Sequence, residues 1–163
     1  MKSTFSYSVF IVIFIIFPIV FGMTVFVLFA FLSNDPTLLI MAIPVTIIVC
    51  FTLGWLIFGE LRTKIIRVEL GFDHLTIRRY GGLSTPLTFY YADLDGFTTS
   101  ILPSERQRYE YLYLLRGGKK IGKLSEYYHK NYADLKDSLS ANLKDIGYVE
   151  FSYWLEIKES FGG

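Results

Sequence analysis

Two long apolar runs dominate the first third of the chain, and the rhythm of the sequence changes after the second. Ser8 to Leu32 is apolar apart from Ser8 and Thr24, and Ser3 to Asn34 carries no charge. Thr37 to Gly59 is a second charge-free run of comparable length. A helix rises about 1.5 Å per residue, so about 20 residues cross a hydrocarbon core of about 30 Å. Both runs suffice, which predicts membrane spans over residues 8–32 and 37–59. Between them Ser33-Asn34-Asp35-Pro36-Thr37 reads as a compact turn, with Asp35 as N-cap and Pro36 at the first helical position. So short a connection forces the two helices antiparallel. A cleaved signal peptide would have an apolar region of about 7–15 residues ending at a small-residue site. Here the first run is longer, and Val20-Phe21-Gly22 leads into more apolar sequence. Pro18 and Pro44 fall near the middle of the runs; with no ionisable residue beside them, they read as tolerated prolines rather than parts of a transport path.

Beyond Gly59 the pattern alternates. Ile66, Val68 and Leu70 share one face of a strand, and Gly71-Phe72-Asp73 signals a turn. His74 to Tyr80 reads as the returning strand, with Leu75 and Ile77 inward and Arg78 outward, broken by Gly81-Gly82. Leu87, Phe89 and Tyr91 mark a third strand, and Gly96 to Ile101 a fourth, stopped by Leu102-Pro103-Ser104. Tyr109 to Arg116 is rich in Tyr and Leu without clean alternation, as expected of a strand buried on both faces. Gly117-Gly118 then turns the chain into a sixth strand, Lys119 to Leu124, with a bulge near Gly122 because Ile121 and Leu124 fall on opposite faces.

A helical period follows. Tyr132, Leu135, Leu139, Leu143 and Ile146 recur at spacings of three and four, opposite Asp134, Asp137, Ser138 and Ser140. This predicts one amphipathic helix, capped by Asn131 and ended by Gly147. Short antiparallel strands and one helix bury a sheet on both faces only if the sheet curls. The expected fold is therefore membrane-anchored α+β: a two-helix hairpin over residues 1–59, then a domain over 60–163. That domain is read as an antiparallel β-barrel or sandwich closed by a C-terminal helix, able to fold without the hairpin. From about residue 148 an extension alternates Val149, Phe151, Tyr153, Leu155 and Ile157. It reads as an added strand, with an interfacial aromatic segment around Trp154 as the alternative.

Composition sharpens the division. The 163 residues are 52% hydrophobic and 19% charged, and of 16 basic and 15 acidic residues only Lys2 and Asp35 precede Glu60. A net charge of +1 leaves no footprint for nucleic acid. Cys50 is the only cysteine, which excludes an intrachain disulfide scaffold. The turn between the helices has no Lys or Arg, whereas Lys2 precedes the first helix and Arg62, Lys64 and Arg67 follow the second. Basic residues favour the cytoplasmic side. The expectation is a multi-pass protein of the cell (inner) membrane with both termini cytoplasmic.

Two stretches carry a family resemblance. Gly71-Phe72-Asp73-His74-Leu75-Thr76-Ile77, and Leu87-Thr88-Phe89-Tyr90-Tyr91-Ala92-Asp93-Leu94-Asp95-Gly96-Phe97, resemble bacterial pleckstrin-homology (PH) domains. Tyr91 and Leu94 match an aromatic and an aliphatic residue that follow the third strand in that family, with tyrosine in place of the more usual tryptophan. The resemblance covers most of residues 60–147 and implies a seven-stranded domain with a terminal helix, often preceded by a two-helix membrane hairpin. Six strands are read here before the helix.

Little in the sequence suggests catalysis. His74 and His129 lack the spacings of metal or catalytic motifs and read as surface or capping residues. Arg116-Gly117-Gly118-Lys119-Lys120-Ile121-Gly122-Lys123 lacks the order of a phosphate loop, and the Asp93, Asp95 pair offers too few ligands for calcium. No cofactor and no metal site is expected. Two features remain: the basic set Arg116, Lys119, Lys120 and Lys123, placed to face an anionic membrane, and the tyrosines 109, 111, 113, 127, 128 and 132, which suit either an interface or a small β core. The reading is a non-enzymatic, membrane-tethered PH-like binding or scaffolding module. It would act at the cytoplasmic face on a protein partner, a second copy of itself or anionic lipid headgroups. The alternative is an accessory subunit or immunity-type inhibitor of a larger membrane protein.

Overall fold

The computed structural model describes residues 1–33, 35–102 and 107–154. The apolar runs form two antiparallel helices, α1 (Tyr7–Ser33) and α2 (Pro36–Gly54). Asp35 caps α2 as expected: its side chain accepts from the Thr37 N–H at 2.8 Å, and Pro36 takes the first position. A π-helical stretch, Trp55–Leu61, carries α2 onward to the domain. Both helices are long and apolar enough to cross a membrane, and only 6% of each most apolar stretch is buried within the protein.

The chain before α1 belongs to the domain, which the division at residue 60 did not anticipate. The Ser3 N–H donates to the Val68 carbonyl at 2.8 Å and the Leu70 N–H to the Met1 carbonyl at 2.6 Å. Lys2 pairs with Glu69 at 2.8 Å, and the Ser3 hydroxyl, itself buried, accepts from the Val68 N–H. On its other side the arm bonds to the segment before the third helix, through Ser6 N–H to Tyr128 O and Lys130 N–H to Thr4 O. Residues 1–3 thus cover the outer edge of the first strand, which would otherwise present unpaired backbone groups, and residues 4–6 join it to the segment before the third helix.

Among the described residues seven strands form two sheets. The first contains β1 (Arg67–Leu70), β2 (His74–Arg78) and β3 (Leu87–Tyr90) in that order, all antiparallel. The second has the order β6-β5-β4-β7, built from β4 (Gly96–Leu102), β5 (Tyr109–Arg116), β6 (Lys119–Ser125) and β7 (Asp145–Tyr148). Neither closes into a barrel, so the barrel alternative is corrected, while two sheets sharing one core agree with the sandwich alternative. The period-two faces hold: Ile66, Val68, Leu70, Leu75 and Ile77 are buried with Phe97, Leu112, Leu114 and Leu124 in one core. β5 is buried at four successive positions, Tyr111 to Leu114, as its composition predicted. The bulge lies at Ile121, where the β5–β6 register shifts beside Gly122. A Cβ on Gly122 would sit 2.7 Å from Ile77 Cδ1, so glycine lets the two sheets approach there.

The helix is shorter than its apolar period. α3 spans Tyr132–Ser140 and seats Tyr132, Leu135 and Leu139 on the core; Leu143 joins them from the following turn. Ile146 is not helical but lies in β7, which pairs in parallel with β4. Among the described residues α3 is therefore not the closing element. A strand follows the helix, because the Asp145 side chain and Gly147, at φ 116°, redirect the chain along an open sheet edge. Gly96 permits this contact: at φ 136°, an added Cβ would lie 2.2 Å from the Lys144 carbonyl oxygen. The tail strand expected over Val149 to Ile157 is not formed among the described residues; β7 precedes it, and a single bond from Val149 N–H to Thr99 O continues past β7. Phe151 stacks on Tyr111 instead of alternating in a strand. Leu155 and Ile157, like the Pro103-Ser104 stop and Asn34 of the inter-helix turn, lie outside the described residues.

Candidate functional site

The four basic residues singled out from the sequence do not share one face. Arg116 and Lys119 flank the Gly117-Gly118 turn and are exposed. Arg116 lies 5.6 Å from the Phe89 ring and 3.9 Å from an Asp93 oxygen, and Asp95 accepts from the Gly118 N–H at 2.7 Å. Asp93 and Asp95 are thus neither a cation site nor idle: one offsets the charge of the turn and the other fixes its backbone. Lys120 is half-buried, with its ammonium 4.0 Å from the Tyr113 ring centre. Lys123 is only 6% exposed, with its ammonium 3.9 Å from the Tyr111 centroid and 5.4 Å from that of Tyr113. Its position follows from register, since Lys123 pairs directly with Tyr113. A desolvated cation over two ring faces is a packing element, so Lys123 is withdrawn from any surface contact.

A second cluster, not anticipated, joins the hairpin to the domain. Glu60, in the π-helical stretch, is 8% exposed. It receives the Lys64 ammonium at 2.6 Å and the Tyr128 hydroxyl at 2.7 Å on its two oxygens. Burial, and then the adjacent Glu60 carboxylate, push the Tyr128 phenol well above its ordinary range. Around this polar centre Val9 of α1, Leu61, Ile65, Phe5 and Tyr127 pack with Tyr128. Both oxygens of this buried carboxyl group are thus engaged, one by an ammonium and the other by a hydroxyl. No family model matches the chain, and neither a curated protein nor a solved structure is significantly similar to it.

His129, expected at the surface, is 1% exposed and structural. Its Nε2 lies 2.9 Å from the Ile66 carbonyl oxygen, and its Nδ1 is 3.2 Å from the Ser125 N–H and 3.0 Å from that residue's carbonyl oxygen. Burial holds its pKa below the usual range, against the two backbone contacts that favour the charged form. Asn131 does not cap α3 with its side chain; it binds the N-terminal arm. His74 remains at the β1–β2 turn, 2.7 Å from Asp73. Among the described residues no group of three His, Cys, Asp or Glu is placed to hold a metal ion. Of the tyrosines singled out, Tyr128 directs its hydroxyl onto Glu60 and Tyr132 onto Glu110, the latter at 2.6 Å. The one sequence signal for the junction was Glu60 itself, a lone acid at the end of a long apolar run.

Proposed function

We propose that the chain is a membrane-tethered, non-enzymatic binding module. The hairpin spans the cytoplasmic membrane twice, and a PH-like domain sits at its cytoplasmic face to engage a protein partner or lipid headgroups. One observation carries this reading: the domain is fastened to the hairpin from both sides, by the arm before α1 and by the Glu60, Lys64 and Tyr128 cluster after α2. A tether that only localised a domain would need a flexible linker; this one fixes the domain's orientation at the end of the helices. Support for the PH-like part comes from two sheets and a helix sharing one core, with Tyr91 and Leu94 packed against it after β3.

The outward apolar surface of the hairpin, with Phe14 at 76% and Ile47 at 65% exposure, also suits a larger membrane protein. Photo-crosslinkers in native membranes separate the two readings. Crosslinks to protein from Lys119 or Phe72, or to lipid from Leu83, all on the domain, support the module. A single stoichiometric protein captured from Phe14 and Ile47, with none from the domain, supports an accessory subunit instead.

A further inference from the structure

The loop between β2 and β3 returns to the end of the hairpin. The Gly81 N–H donates to the Ile65 carbonyl at 2.7 Å, and Ile65 packs against Val9 and Leu61 at the helix ends. Arg79 and Ser84 close the loop on itself, through Arg79 N–H to the Ser84 hydroxyl at 2.7 Å and Ser84 N–H to Arg79 O at 3.2 Å. Tyr80 is held at φ 53°, a left-handed conformation unfavourable for a bulky residue. This fixed loop presents Leu83 at 92% exposure, two residues from the hydrogen bond that ties it to the hairpin. A lone exposed leucine means little by itself; its position and its neighbours give it meaning.

Those neighbours are cationic. Arg67 and Arg78 are direct partners across β1 and β2, and Arg79 follows. Like charges placed opposite each other on a sheet repel. Among the described residues none of the three makes an ion pair, and the Nε of Arg67 and of Arg78 are buried without a hydrogen-bond partner. Glu69, two residues along β1 from Arg67, feels both Arg67 and Arg78 but is held directly by Lys2 at 2.8 Å. The Arg67 guanidinium lies over Phe5 and against Gly82, at the base of the loop.

We propose that the β2–β3 loop is a second contact with the bilayer that the hairpin crosses. Leu83 and Tyr80 enter the interfacial zone, and the guanidinium groups of Arg67, Arg78 and Arg79 take anionic lipid phosphates. The inference rests on the membrane reading of the hairpin and deepens it. Tyrosine favours the headgroup level, and a planar guanidinium matches phosphate geometry where an ammonium does not. The contact would lock the domain against the leaflet, with the β1–β2 turn and its exposed Phe72 pointing away from it.

The test uses the full chain with Cys50→Ser, carrying a polarity-sensitive fluorophore on Leu83→Cys or, as control, on Phe72→Cys. Each is reconstituted in phosphatidylcholine vesicles with and without phosphatidylglycerol. At position 83 the expected emission is blue-shifted, quenched by lipid-borne nitroxide and protected from iodide, more so with phosphatidylglycerol; at position 72 it is not. Arg67→Gln with Arg78→Gln should abolish the phosphatidylglycerol-dependent part. A label at 83 as open to iodide as one at 72, on protein that resists alkaline extraction, overturns the inference and leaves the hairpin reading intact. Protein released by alkaline extraction overturns both. Protection indifferent to phosphatidylglycerol and to the arginine substitutions overturns the role given to the arginines.

Discussion

The Asn131 side-chain oxygen accepts hydrogen bonds from both the backbone N–H and the hydroxyl of Thr4, at 2.8 and 3.0 Å, across 127 positions of sequence. Its amide nitrogen donates to the Lys2 carbonyl at 3.0 Å. A residue placed to cap α3 instead clamps the N-terminal arm to the domain.

Cutting this clamp should loosen the arm before it unfolds the core. Each hydrogen bond of this kind contributes about 0.5–1.5 kcal/mol net. Asn131→Ala removes three of them and should therefore cost about 1.5–4.5 kcal/mol in thermal unfolding of the detergent-solubilised chain. Amide exchange should accelerate at Ser3 and Ser6 but not in β5. Unchanged exchange in the arm would mean that the strand contacts with β1 hold it unaided. By the same reasoning, residues 60–163 alone should be less stable than a version retaining residues 1–6 through a short linker.

The core-facing side of α3 should be sensitive and the opposite side tolerant. Leu139 is fully buried and Asp137 exposed. Leu139→Ala should cost about 2–5 kcal/mol, the usual range for a buried leucine. Asp137→Ala should fall within about 0.5 kcal/mol. Equal, small losses at both positions would contradict the packing of this helix.

His129 gives the domain a defined response to acid. Its folded-state pKa is lowered by burial, so below the ordinary histidine value of about 6.5 the unfolded chain binds a proton that the folded chain refuses. The sign follows: the contribution is complete above that pH and is lost as pH falls toward the folded-state value. Unfolding midpoints should drop below about pH 6.5 in the wild type. His129→Gln, with a side-chain amide in place of the titrating ring, should remove this part of the slope. A wild-type slope retained in the variant would assign the effect to other groups.

The basic hairpin should divide by burial rather than by charge. Lys123→Ala removes a desolvated ammonium and its stem from between two tyrosines, at a cost of about 1–3 kcal/mol. Lys119→Ala, at an exposed position, should stay within about 0.5 kcal/mol. Replacing Arg116, Lys119 and Lys120 by Glu should leave the full chain in the membrane fraction. Cations at a leaflet supply at most roughly 1 kcal/mol each, far less than the hold that two spanning helices would give. Equal losses of stability at Lys119 and Lys123, read by chemical denaturation, would contradict this division.

Local pattern made part of this fold legible. The alternation at Val68, Leu70, Leu75 and Ile77 marked the core face of the first sheet, because a half-buried strand repeats every two residues. α3 was legible but overextended: Leu143 and Ile146 continue the helical spacing past Ser140, yet only Leu143 meets the core and Ile146 is 46% exposed on a parallel strand. Periodicity records which residues are apolar, not where a turn intervenes. What the sequence hid depends on partners far along the chain. The Tyr128 and Glu60 pair is separated by 68 positions and Ser3 lies 65 from Val68. Lys123 looked like one of four surface cations because its burial is set by the register with Tyr113.

The orientation of the hairpin can be measured directly on intact cells with a membrane-impermeant maleimide. Single-cysteine variants on a Cys50→Ala background would carry Ser33→Cys, at the end of α1, or Lys119→Cys, on the domain. The turn has no Lys or Arg, and the arm fixes both domain-proximal helix ends to one body. The expected result is labelling at position 33 in intact cells and at position 119 only after lysis. The reverse pattern, or the same accessibility at both positions, would contradict a hairpin that spans the membrane with its domain inside.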